Sequence, residues 1–262
     1  MNPPVATVPA ATTLMLRDTT EGLEVFMVVR HHQIDFASGA LVFPGGKVDP
    51  GDSQVQAHCA GIQDQDATAI AMMVGAIRES FEECGVLLAP PVGSSELISG
   101  QRLSSLQHYR DKLHDGSVTL DQFLASEQLV LACDALQVFA HWVTPEMMPK
   151  RFDTLFYLAA APLDHIAVHD GGESVDSVWI RPQDALKRAK SGDYTIIFPT
   201  RLNVELLAQS RTVKDAFTKA ENRSLVTVIP WTEKRQDGTY LCIQEAAGYA
   251  ISEEKMPASP QK

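Results

Sequence analysis

Arg78-Glu79-Ser80-Phe81-Glu82-Glu83-Cys84-Gly85-Val86 is the stretch on which the reading of this chain turns. It closes a helix. From Ile70, the apolar residues Val74, Ile77, Phe81 and Cys84 follow at helical spacing and make one stripe of an amphipathic helix. Gly85 then stands where a left-handed C-terminal cap belongs. Glu79, Glu82 and Glu83 fall opposite the stripe within an arc of about 100°. Alone, they read as a solvated helix face on which Arg78 pairs with Glu82. Yet three clustered glutamates repel one another near a helix C-terminus, where the macrodipole also disfavours negative charge. A divalent cation relieves both penalties, and carboxylate oxygens are the hard ligands that Mg²⁺ or Mn²⁺ prefers.

Upstream, the strand-like run 40–43 is stopped by Pro44-Gly45-Gly46. That leaves backbone open, so a Gly45 carbonyl can join a metal shell while amides approach a phosphate. Residues 43–86 carry seven acids against Lys47 and Arg78. The whole chain has 262 residues, 22 basic and 33 acidic, for a formal charge of −11. Such a surface repels polyanions, which excludes broad binding to nucleic acid or anionic membrane and requires something local to attract an anionic substrate. No apolar run is long enough to span a membrane, and no signal or transit peptide is legible. Cys59, Cys84, Cys133 and Cys242 form no disulfide framework or CxxC pair and read as reduced thiols of a cytoplasmic protein. His31-His32 and His165 with His169 lack further ligands at zinc spacing. Asp49, Asp52, Asp64 and Asp66 lack the glycine and terminal glutamate of a calcium loop.

Working outward, runs 13–16 and 23–29 predict a hairpin, and 137–143, 155–159 and 177–180 predict further strands. Helices are expected at 103–113, 120–129, 182–189 and 200–209, with a last hairpin joining 225–229 to 240–243 across Asp237-Gly238. Strands first, one embedded helix and late helices imply an α+β fold with a mixed sheet covered by helices. One domain is expected over 13–250, enlarged at about 53–70 and 89–130, between a disordered segment 1–12 and a flexible tail 251–262.

The acidic stretch resembles the Nudix hydrolases, whose box reads G-x5-E-x7-R-E-U-x-E-E-x-G-U with U a bulky aliphatic residue. Gly46 opens it, and Asp52 stands in the place of the first glutamate. Arg78 follows 26 residues after Asp52 instead of eight, so the box carries an 18-residue insertion, entropically cheap if it loops out. Ser80 occupies a position that is usually bulkier. The split box, with Trp142-Val143-Thr144-Pro145, Arg151-Phe152-Asp153-Thr154 and His169-Asp170-Gly171-Gly172-Glu173, is similar to the subgroup that includes a peroxisomal coenzyme A diphosphatase.

This resemblance implies an α/β/α sandwich and hydrolysis of a diphosphate linked to a nucleoside. Position by position, it implies Glu79 and Glu83 as principal metal ligands, Glu82 as a further ligand or base, and Gly45 as a carbonyl ligand. Arg78 orients the glutamates. Glu173 is the candidate general base from outside the box, against a plain solvated turn. Arg30 is a candidate phosphate contact, against a plain strand-end charge, and Gly45 and Gly46 line the substrate. Arg30, Gly39 and Phe43-Pro44-Gly45-Gly46 fall in register with a pattern of bacterial coenzyme A hydrolases that Val28, His31 and Asp35 do not match. Coenzyme A or acyl-CoA leads as substrate. ADP-ribose, NADH, nucleotide sugars and a non-catalytic nucleotide sensor stay open, as does a homodimer. The helices between 103 and 129 could wall in an acyl chain or could simply pack the core.

Overall fold

The computed structural model describes residues 5–30, 39–170 and 174–256. In chain order, β1 (Val8–Thr19), β2 (Gly22–Arg30), β3 (Leu41–Val42), β4 (Gly45–Lys47) and the two-residue β5 (Cys59–Ala60) precede helix α1 (Ala67–Cys84). Three short helices follow: α2 (Gly100–Leu106), α3 (Tyr109–His114) and α4 (Leu120–Glu127). Next come β6 (Leu131–Ala132), β7 (Gln137–Val143), β8 (Phe152–Ala160) and β9 (Ser174–Ile180), then α5 (Pro182–Ser191), α6 (Phe198–Leu207) and α7 (Val213–Glu221). The chain closes with β10 (Thr227–Val228), β11 (Trp231–Arg235), β12 (Gly238–Cys242) and β13 (Glu253–Lys255).

A mixed eight-stranded sheet is the frame, with β10, β7, β8, β1, β2 and β3 in sequence, β4 beside β1 and β9 beside β2. Its centre is the parallel pair β1 and β8, in register from Val8 opposite Phe152 to Leu16 opposite Ala160. Both strands are apolar on both faces, as a sheet covered on each side requires. On β1, Ala11 and Met15 face the cluster around α1, while Leu14 and Leu16 face the cluster around α6 and α7. On β8, Tyr157 and Ala159 divide from Phe156 and Leu158 in the same way. The fold is α+β, a mixed sheet between two helical layers.

The first hairpin, the central strands and Gly85 as the left-handed cap of α1 (φ 68°) match the sequence reading. Several boundaries do not. The segment expected to be disordered through residue 12 enters the sheet at Val8, with Ala11 fully buried. Small, weakly β-prone residues hold that strand because both neighbours pair with it. The first insertion ends at Asp66, whose side chain caps the Ala69 amide at 2.8 Å, so the helix begins before 70. The expected helix 103–113 is broken into α2 and α3, and α7 had no counterpart in the sequence reading. The last hairpin forms across Asp237-Gly238 but pairs Trp231–Arg235 with Gly238–Cys242. Residues 227–228 instead join the main sheet parallel to β7. Part of the expected tail is β13, paired with β12.

Candidate active site

Helix α1 does not turn its acidic face to water. Arg78 is 7% exposed, Glu82 8% and Glu83 9%, because η-turn residues 50–53, strand β4 and helix α3 close over that side. The solvated-face reading is overturned. Burial of Glu82 and Glu83 beside the half-buried Glu79 needs compensation, which Arg78 provides for Glu79 and Glu82.

The Arg78 guanidinium is spent wholly inside the protein. Its Nε donates to Asp52 Oδ1 at 2.8 Å and its Nη2 to Asp52 Oδ2 at 3.1 Å, a bidentate fork. Nη2 also reaches the Lys47 carbonyl at 2.8 Å, and Nη1 bonds Glu79 at 3.0 Å and Glu82 at 3.2 Å. Asp52, 1% exposed, additionally accepts the Asp49 amide at 2.8 Å. Burial pushes the Asp52 carboxyl above its usual range against the opposing pull of Arg78. Burial likewise raises Glu82, again opposed by Arg78. The aspartate in place of the box's first glutamate thus anchors the arginine, and the insertion leaves from behind that anchor. It is tied down by β5 pairing with β6 and by Gly61, where a Cβ would run into Asp134.

The Gly45-Gly46 strand receives the other carboxylates. The Gly45 amide donates to Glu83 Oε2 at 2.9 Å. Gly45 sits at φ +153°, where an added Cβ would strike the Ala11 carbonyl. At Gly46 an added Cβ would come within 2.5 Å of the Glu79 carboxylate. Glu79 and Glu83 therefore lie against consecutive glycines. Among the described residues, no three His, Cys, Asp or Glu side chains converge on one point as a closed metal site. The donor set nonetheless suits a hard cation: these are carboxylate oxygens, and one buried guanidinium faces three carboxylates, Asp52, Glu79 and Glu82.

A cleft of about 1120 Å³ opens above this floor. Arg30, Gly45, Gly46, Lys47, Glu79 and Glu82 line one side of it. Arg30 thus shares a cleft with the box although 48 positions separate it from Arg78. Glu173 lies outside the described residues, as do His31 and His32. The loop leading towards Glu173 is held at the end of α1, where the Val168 amide donates to the Cys84 carbonyl at 3.0 Å. His165 is buried with its Nε2 2.8 Å from the Ile98 carbonyl, and His169 bonds Ser177 Oγ at 3.0 Å. Both histidines act as structural groups.

Two residues of α3 escaped the sequence reading. Arg110 Nε donates to the Glu82 carbonyl at 3.0 Å and its Nη2 to the Val168 carbonyl at 3.3 Å, so one side chain ties α1 to the loop beyond β8. One turn on, His114 Nδ1 lies 3.9 Å from Glu82 Oε2 and faces the cleft. No local signal marks either residue, because their partners are far along the chain. The remaining apolar residues of α2 and α4 pack the core: Leu103, Leu106, Phe123 and Leu124 are buried, and the Phe123 ring stacks on Phe81 with centroids 5.5 Å apart. Of the helices expected to wall a chain, only Leu113 and His114 reach the cleft.

Residues 56–207 match the family model described as the NUDT19 Nudix domain. The chain is similar to an acyl-coenzyme A diphosphatase NUDT19 of Xenopus laevis, 23% identical over 82% of this chain and 67% of that protein. A putative nudix hydrolase 7 of Caenorhabditis elegans is 28% identical over 79% of this chain and 61% of its own length. Among solved structures, a NUDIX hydrolase from Alicyclobacillus acidocaldarius superposes with a TM-score of 0.64 at 26% identity, over 82% of this chain and 96% of that one.

Proposed function

Because the chain belongs to the Nudix hydrolases of the NUDT19 type, we propose that it hydrolyses the diphosphate linkage of a nucleoside diphosphate derivative, with coenzyme A or acyl-CoA as the leading substrate. The observation that carries this reading is the seating of Glu79 against Gly46 in the lining of an open cleft, with Glu83 held beside it by the Gly45 amide. The coenzyme A assignment draws on the relatives' names and is narrower than the family.

Water attacks one phosphorus, and the other phosphate leaves with the electron pair of the broken bridge. The chain must hold an anion over a carboxylate floor, which like charges alone forbid. Glu79, Glu82 and Glu83 are the residues that would hold Mg²⁺ or Mn²⁺, which when bound neutralises phosphate oxygens and lowers the charge cost of attack. Arg78 has no donor aimed at solvent. It sets the carboxylate positions, with its N–H groups engaged by Asp52, Glu79, Glu82 and the Lys47 carbonyl at the edge of the cleft. Arg30, which lines the cleft together with Lys47 and Lys150, is the candidate to meet a phosphate oxygen, and glycines at 45 and 46 would let the substrate approach backbone. Glu82, with its raised proton affinity, and Glu173 are the two candidates for taking the water's proton.

Glu83→Gln removes one charged oxygen and keeps the shape. It should lower turnover by about a hundredfold or more while the far-ultraviolet spectrum stays unchanged. Unchanged turnover would overturn the assignment. A panel of coenzyme A, acyl-CoA, ADP-ribose, NADH and nucleotide sugars, each with Mg²⁺ and Mn²⁺, decides the substrate. Release of 3′,5′-ADP supports coenzyme A. Binding without any hydrolysis would turn the reading to a nucleotide sensor.

A further inference from the structure

The cleft that holds Glu79 and Glu82 is lined by apolar side chains as well as by charged ones. Its lining also includes Met147, Met148 and Lys150 from the turn between β7 and β8, Phe198 from the first turn of α6, Leu241 of β12, and Pro230 and Met256 beside the C-terminal strands β11 and β13. Met147, Met148 and Met256 are 57%, 39% and 42% exposed. Three large apolar side chains, from segments more than 100 positions apart, thus turn towards one hollow. Exposed apolar surface gathered in a concavity marks a place that something apolar covers. Unbranched thioether chains adapt to ligands of different length and shape.

We propose that Met147, Met148 and Met256 form a lobe that takes the apolar tail of the substrate and sets how strongly tail length is rewarded. The inference rests on the diphosphatase reading for the substrate's charged part. Continuity carries it: the carboxylates and the methionines line a single cleft of about 1120 Å³, above the roughly 300–1,000 Å³ of ordinary small-molecule sites. A molecule with an anionic centre and an apolar tail fits both ends. One with charged groups throughout would desolvate charge against methionine. Pro230, Leu241 and Met256 lie beyond the family match at 56–207, whereas Met147, Met148 and Phe198 lie within it.

The test uses two alkyl phosphates, butyl and dodecyl, below the micelle concentration of the longer one, with affinities measured calorimetrically on the full chain and on Met147→Asp and Met256→Asp. The full chain should bind dodecyl phosphate about tenfold tighter or more than butyl phosphate, and each variant should lose most of that preference. The ratio of kcat/KM for dodecanoyl-CoA to that for free coenzyme A should fall by a similar factor. Affinity independent of chain length, or a preference intact in both variants, overturns the lobe. Conversion of a dimer into a monomer by Met256→Asp, with the preference intact, would assign these methionines to a second copy of the chain and also overturn it. Chain-length preference without turnover of any diphosphate would support the lobe and defeat the diphosphatase reading, so the two failures are separable.

Discussion

At Gly46 the missing side chain is the reason Glu79 can lie where it does. A Cβ placed there meets the Glu79 carboxyl carbon at 2.5 Å, and the obstructing group is the free end of a flexible side chain. Gly45 differs, since its Cβ would strike the Ala11 backbone and its φ of +153° already disfavours any other residue. Gly46→Ala should therefore push Glu79 aside, lowering turnover by about tenfold or more with a loss of stability below about 1 kcal/mol. Gly45→Ala should instead cost roughly 1–3 kcal/mol in urea unfolding. Equal stability losses in the two variants would contradict the distinction. The same scale explains why aspartate serves at position 52. The residue lies in a turn directly beneath Arg78, and its short side chain meets both Nε and Nη2.

Among the elements, α1 is held at its C-terminal end by chain from elsewhere. Asp66 caps its start, and its last carbonyls are taken by groups foreign to the helix. Arg110 holds the Glu82 carbonyl, Gln107 the Gly85 carbonyl at 3.1 Å and the Val168 amide the Cys84 carbonyl. A cation at this end also opposes the macrodipole that three glutamates make worse. Arg110→Met removes charge-assisted bonds worth about 1.5–3 kcal/mol each at most. It should speed amide exchange at residues 84–86 and 168, and lower kcat more than it raises KM. Exchange confined to α3 would show that Arg110 stabilises only its own helix. The second insertion therefore serves α1 as a brace, with Leu103, Leu106, Phe123 and Leu124 committed to the core.

Over the whole molecule, the two sheet faces divide the work. The α1 face carries the acidic floor, and the opposite face anchors the C-terminal extension that walls the cleft. Tyr249 makes that anchor. Its hydroxyl donates to Asn203 Oδ1 at 2.7 Å and accepts from Trp142 Nε1 at 2.9 Å, joining the extension to α6 and to β7, whose Trp142 lines the cleft. Tyr249→Phe leaves two buried polar groups without this partner and should cost about 1–3 kcal/mol in urea unfolding. Unaltered stability would mean the extension is held by its apolar contacts alone. Among the described residues, no helix is long and apolar enough to cross a membrane.

What the amino-acid sequence determined by itself was everything local. The period of α1, its glycine cap, the spacing of Arg78, Glu79, Glu82 and Glu83, and the strand stopped at Pro44 all follow from interactions within a few residues. They sufficed to identify the family and the α+β architecture. What only the tertiary structure decided concerns partners distant in sequence. Whether the acidic face meets water depended on β4, α3 and residues 50–53 folding over it. The strand at Val8 exists because β8 and β4 pair with it, against its own weak propensity. Residues 227–228 found β7 instead of the hairpin. Much of the cleft's apolar lining comes from the turn after β7, α6 and the C-terminal segment, while the insertion helices, whose apolar pattern was equally visible, contribute Leu113 alone among their apolar residues. Hydrophobic pattern tells which side chains avoid water, but only packing decides whether they do so against the core or against a ligand.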